Sequence, residues 1–200
     1  MTTPTKPYTG MRVSVAEFLE LELPEPDDKL KMELDDGVLY IMPRPRLIHQ
    51  SAQGELFYYF RHHFRGFATP PGEVYTEVSV ALPSELPRLF APDLTVVLHG
   101  NRAVLGDRMV EGSPDIVIEV LSTDRNRDLV RKRQVYEEAG IPEYWIVDEL
   151  NQTALQLELS DGQYVERAAL TVDDALTTPL LPGLVIPLVD VFRRPGQPGR

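Results

Sequence analysis

Apolar and polar positions along the chain follow two alternating periods. Ser14-Val15-Ala16-Glu17 reads as a capping box, in which Ser14 caps a short helix and Glu17 reaches back. Val15, Phe18 and Leu19 give that helix an apolar face, and Pro24 and Pro26 end it. The segments KMEL and VLYIM flank Asp36-Gly37 and predict a hairpin closed off by Pro43 and Pro45. From residue 47 to about 65, Leu47, Ala52, Leu56, Tyr59 and Phe60 recur at helical spacing, with Gly66 as the stop. From Glu73 to Leu82 the pattern becomes strict alternation. Val74, Thr76, Val78, Val80 and Leu82 then share one face of a single half-buried strand.

PDLTVVL (92–98) and PDIVIEVL (114–121) are apolar on both faces, as central strands are. A helix over residues 125–139 follows, ended by Gly140, then a buried strand YWIV (144–147). A second hairpin spans residues 153–159 and 163–169 around Asp161-Gly162, and the tail LLPGLVIPLVDVF is expected to pack on the core. The order αββαβββαβββ predicts an α/β fold: a mixed β-sheet flanked by helices, with an N-terminal helix plus hairpin and a C-terminal hairpin.

Against this pattern three charges stand where packing forbids them. Glu119 lies inside Ile116-Val117-Ile118-Glu119-Val120-Leu121, on one face with Val117 and Leu121. Asp93 opens a similar strand and shares a face with Thr95 and Val97. Lys132 is three residues beyond Leu129 and four before Tyr136, on the helix face that meets the sheet, while Arg131 and Gln134 point away. Singly, each admits a structural reading: a turn residue after proline, an acid paired with a structural cation, a lysine whose stem reaches solvent. Together, two acids on neighbouring strands and one inward lysine describe a hard-cation site with an adjacent ammonium. Mg²⁺ favours carboxylates and waters beside phosphate oxygens, and such an ion can activate a water at phosphorus.

Composition narrows the partners. With 42% hydrophobic and 26% charged residues the chain is ordinarily globular. A single domain over residues 11–192 is expected, with flexible ends at 1–10 and 193–200. The net charge of −11 argues against a charge-driven nucleic-acid coat. Five basic residues against one acid in RNRDLVRKR (125–133), with Arg44 and Arg46 before the second helix and Arg61 and Arg65 at its end, still allow a local patch. The absence of cysteine excludes a disulfide framework, a thiolate nucleophile and a Cys-ligated metal, and fits a cytoplasmic setting. MTTPTKPYTG has no apolar core of a secretory signal, and no apolar run approaches the ~20 residues that span a bilayer. His62, His63 and His99 show no ligand spacing, and Trp145 reads as core.

Asp93, Glu119 and Lys132 resemble the PD-(D/E)xK nuclease signature. More closely, the chain resembles the bacterial Uma-two family of endonucleases. The matching segments are MELDDG (32–37), HQ (49–50), PDLTVV (92–97), GSPDIVIEVLS (112–122), RDLVRKRQVYEEAGIPEYWIVD (127–148) and LLPGLVIPL (180–188), within residues 12 to 192. The resemblance implies a restriction-endonuclease-like fold and an endodeoxyribonuclease. In it Asp93 and Glu119 hold Mg²⁺ (or Mn²⁺), Lys132 is the catalytic lysine, and Glu33 touches the metal or its water. His49 and Gln50 approach the scissile phosphate. Through Arg125, Arg127 and Arg131 the local basic run is expected to contact nucleic acid, DNA rather than RNA, and a homodimer is expected, as in many such nucleases. The usual lysine position, two residues after the acid, is Leu121 here, so Lys132 stands as a migrated replacement. Val38 replaces a glutamate common in the family, and Thr123-Asp124 replaces a usual Pro-Ser. A nuclease-fold module without activity and a phosphohydrolase of small nucleotides remain the alternatives.

Overall fold

A computed structural model describes residues 6–21, 30–43, 45–121 and 124–194. The expectations on Pro24, Pro26, Arg44 and Thr123, and on the two extreme ends of the chain, fall outside these residues. The capping box forms as predicted at helix α1, Val15–Leu19. Strands β1 (Lys31–Asp35) and β2 (Val38–Met42) make the first hairpin, whose turn holds Asp36 at φ 50° and Gly37 at φ 76°. Both central residues of this tight turn need positive φ, which Asp-Gly tolerates best. Helix α2 (Leu47–Arg65) follows, then strands β3 (Gly72–Thr76), β4 (Ser79–Ala81), β5 (Leu89–Phe90), β6 (Leu94–Leu98), β7 (Val104–Leu105), β8 (Met109–Glu111) and β9 (Ile116–Val120). A π-wound segment, Arg127–Lys132, runs directly into helix α3, Arg133–Glu138. Strands β10 (Glu143–Asp148), β11 (Thr153–Ser160) and β12 (Gln163–Thr171) form the second half of the sheet. A short pair, β13 (Ala175–Leu176) and β14 (Ile186–Pro187), leads to helix α4, Leu188–Val191.

The central sheet has the order β12-β11-β10-β9-β6-β3, with only β9 and β10 parallel. That one parallel pair requires a crossover, and the π-wound segment with α3 supplies it. One face of the sheet buries Leu94, Val96, Ile118 and Trp145 against Leu56 and Phe60 of α2 and the C-terminal Leu181, Leu184 and Leu188. The other face buries Val97, Val117 and Tyr144 against Val135 and Tyr136 of α3. The apolar tail therefore packs on the core, although Leu180, Val185 and Val189 stay exposed.

A second sheet, β2-β1-β5-β4-β8-β7, lies outside the predicted architecture. It exists because the alternating run 73–82 is two strands rather than one. Glu77, at φ 52°, breaks it, so that β3 joins the central sheet and β4 the second. The alternation survives the break, which is why the sequence alone does not show it. A non-glycine residue in the left-handed region costs roughly 1 kcal/mol. Glu77→Gly is therefore expected to raise the thermal midpoint by about 2 °C, read by calorimetry.

Two positions expected in the core are not there. Leu47 is 76% exposed, because the inward place in the first turn of α2 belongs to His49. Val130 is 64% exposed and Asp128 is buried instead. A π-turn closes over five residues rather than four, so the inward stripe becomes Asp128, Lys132, Tyr136.

Candidate active site

Register alone brings the two strand acids together. Leu94 of β6 opposes Ile118 of β9, so one step onward Asp93 faces Glu119 on the same side of the sheet as Thr95 and Val117. The crossover helix lies over that side and brings Lys132 onto it. Glu33, inward on β1, approaches from the second sheet. The four side chains expected to carry chemistry are thus convergent and buried, with Glu33 at 0%, Glu119 at 1%, and Asp93 and Lys132 at 3% exposure.

Lys132 is the hub. Its Nζ donates to Glu119 Oε1 at 2.8 Å and lies 3.1 Å from Glu33 Oε1 and 3.5 Å from Asp128 Oδ1. Burial opposes its charge, but Glu119, Glu33 and Asp128 hold the ammonium well above the ordinary lysine range. Glu119 Oε1 also accepts from the Tyr136 hydroxyl at 2.7 Å. Burial pushes the Glu119 carboxyl up to about 7 against the pull of Lys132, and the neighbouring Asp93 charge adds to the push.

Asp93 is anchored on all sides. Its Oδ2 accepts from the Val120 amide at 2.8 Å and lies 3.1 Å from His49 Nε2. Its Oδ1 lies 3.3 Å from Lys31 Nζ, and its backbone carbonyl accepts from Gln53 Nε2 at 3.0 Å. Burial works against the charged carboxylate, yet Lys31, His49 and Lys132 hold it well below the usual range.

Sequence reasoning missed Lys31, Gln53, Asp128 and Tyr136. Lys31 had a signal, since it is two residues from Glu33 on one strand and so shares its face. Asp128 had one too, since it stands four residues before the inward Lys132 and so shares its helix face.

The residues expected to meet nucleic acid divide. His49 reaches the site through Asp93, whereas Gln50, one position along α2, is exposed. The arginines are paired with acids of the protein itself. Arg127 pairs with Glu33 at 3.1 Å and Asp35 at 3.5 Å, and its guanidinium stacks 3.9 Å from the centre of the Tyr40 ring. Arg131 forks onto Asp35 at 2.6 and 3.0 Å and reaches Asp36 at 2.7 Å. Arg125 meets Asp148 at 2.6 Å. The surplus of positive charge in 125–133 is thus offset in space by the hairpin and the end of β10. Arg131, expected to point away, clamps the hairpin to the crossover.

Among the described residues no three His, Asp or Glu side chains gather closely enough to hold an ion among them. A site built on Asp93 and Glu119 is a two-carboxylate site. That donor set suits Mg²⁺, which commonly takes one or two carboxylates and completes its shell with waters and phosphate oxygens. Glu33 is held by Lys132 at 3.1 Å and by Arg127 at 3.1 Å. Among the described residues, no helix is long and apolar enough to cross a membrane.

A family profile described as "Uma2: Putative restriction endonuclease" matches residues 15–189. Among solved structures, a putative nuclease belonging to DUF820 from Anabaena variabilis ATCC 29413 is similar in fold, with a TM-score of 0.70 and 18% identity, covering 90% of this chain and 97% of that one. No curated protein matches the chain.

Proposed function

The chain belongs to the Uma2 family, and from that premise we propose that it is an endonuclease that hydrolyses phosphodiester bonds of DNA in a Mg²⁺-dependent reaction. The observation that carries this reading is one buried cluster. The Lys132 ammonium bridges Glu119 and Glu33, and Asp93 faces Glu119 across a strand pair. A core has no structural need to gather these charges, since desolvating each costs several kcal/mol, roughly, before pairing repays it. The family's description as a restriction endonuclease favours DNA over RNA.

Asp93 and Glu119 would hold the divalent ion, which when bound supplies positive charge beside the phosphate and an acidified water. The protein's own contributions follow from the geometry. Val120 N–H and His49 fix the Asp93 carboxylate so that one oxygen faces the site. The Tyr136 hydroxyl and Lys132 fix Glu119. Lys132 stays charged in a water-poor setting, where its ammonium offsets negative charge developing on the phosphoryl oxygens. Arg127 and Glu33 hold that ammonium in place.

Supercoiled plasmid incubated with the purified chain is expected to become nicked and then linear with Mg²⁺ or Mn²⁺, and to stay intact with EDTA. Metal binding without cleavage of any DNA or RNA would instead identify a binding module, and turnover of free nucleotides alone a small-molecule phosphohydrolase.

A further inference from the structure

The cluster contains one cation that the reading above leaves without a task. Lys31 opens β1, and its Nζ lies 3.3 Å from Asp93 Oδ1. The other oxygen of that carboxylate already has two partners, the Val120 amide and His49. Oδ1 is therefore the oxygen left to face an ion, and Lys31 sits on it. Its surroundings differ from those of Lys132. Lys132 touches three acids and its side chain is 3% exposed, whereas among the described residues Lys31 pairs with the single oxygen and its side chain is 18% exposed. That partial exposure gives the flexible four-carbon stem of Lys31 a route along which to swing its charge away from Asp93, a route the enclosed Lys132 lacks.

We propose that Lys31 is a tethered counter-ion: its ammonium occupies the place of the divalent ion on Asp93 and must leave when that ion binds. This rests on Asp93 and Glu119 being the metal ligands. Without metal, the ammonium offsets a buried carboxylate that would otherwise stand against Glu119 and Glu33. With metal, a positive charge retained on the same oxygen would repel the ion, so lysine and ion exclude one another. Lys31 accordingly sets the metal concentration at which the site fills. It is a positioning residue and takes no part in bond cleavage.

The test is Mn²⁺ titration into the metal-free full chain by calorimetry. Lys31→Met is expected to bind Mn²⁺ about tenfold tighter than the wild type, because a competing charge is gone. Its thermal midpoint should also rise more on adding Mn²⁺, since tighter binding to the native state stabilises it further. Lys31→Arg, which keeps the charge, should bind no tighter than the wild type. Lys31→Gln carries the same expectation as Lys31→Met should the Met variant fail to fold. Asp93→Asn should remove binding in every background and so locate the ion. Equal or weaker binding by both uncharged variants, where the wild type binds, overturns the role of Lys31 and leaves the two-carboxylate site standing. No Mn²⁺ binding by any of these proteins overturns both.

Discussion

Lys132→Ala is expected to abolish plasmid nicking, by a factor on the order of a thousand or more, and to destabilise the fold by roughly 3–5 kcal/mol. Both effects come from one atom. Nζ is the shared partner of Glu119, Glu33 and Asp128, and none of the three is exposed enough to find water instead. A urea melt reads the stability, and a nicking time course well below the melting temperature reads the activity. The two losses are separable. Adding Glu33→Gln to Lys132→Met removes one of the stranded charges and should recover part of the stability while recovering no cleavage. Recovery of cleavage in that double variant would remove Lys132 from the chemistry.

Asp93→Ala is the second large effect. It should eliminate cleavage and also cost roughly 2–4 kcal/mol, because the Val120 amide loses its acceptor and His49 loses its partner in a buried setting. Asp93→Asn keeps an oxygen for the Val120 N–H. It is expected to be equally inactive but to lose about half as much stability. The comparison isolates charge from scaffolding. Nicking by the Asn variant at more than a few per cent of the wild-type rate would show that the carboxylate is not needed to hold an ion.

Much of this site is legible in the sequence because charge inside an apolar strand is conspicuous. Glu119 between Ile118 and Val120, and Asp93 before LTVVL, stand out on pattern alone. Their juxtaposition then follows from the antiparallel pairing of β6 with β9. Lys132 was visible by helical spacing, although the winding that places it there was not. Two kinds of information were hidden. The first is pairing between distant segments: Arg127 and Arg131 look like a basic patch until the hairpin acids Glu33, Asp35 and Asp36 are seen opposite them. The second is a change of sheet without a change of period, as at Glu77, where alternation continues while the strand partner does not. Beyond the first hairpin, the second sheet is assembled from pieces of two or three residues, too short to carry a periodic signal of their own.

The widened turn at Arg127–Lys132 separates what a residue does from how many residues away it stands. Because the amine comes from a crossover rather than from the strand beside its acid, the two residues stand thirteen positions apart in the chain while their polar atoms are 2.8 Å apart. A search pattern that fixes the interval between acid and lysine passes this protein over. One that asks for an inward lysine anywhere on the succeeding helix finds it.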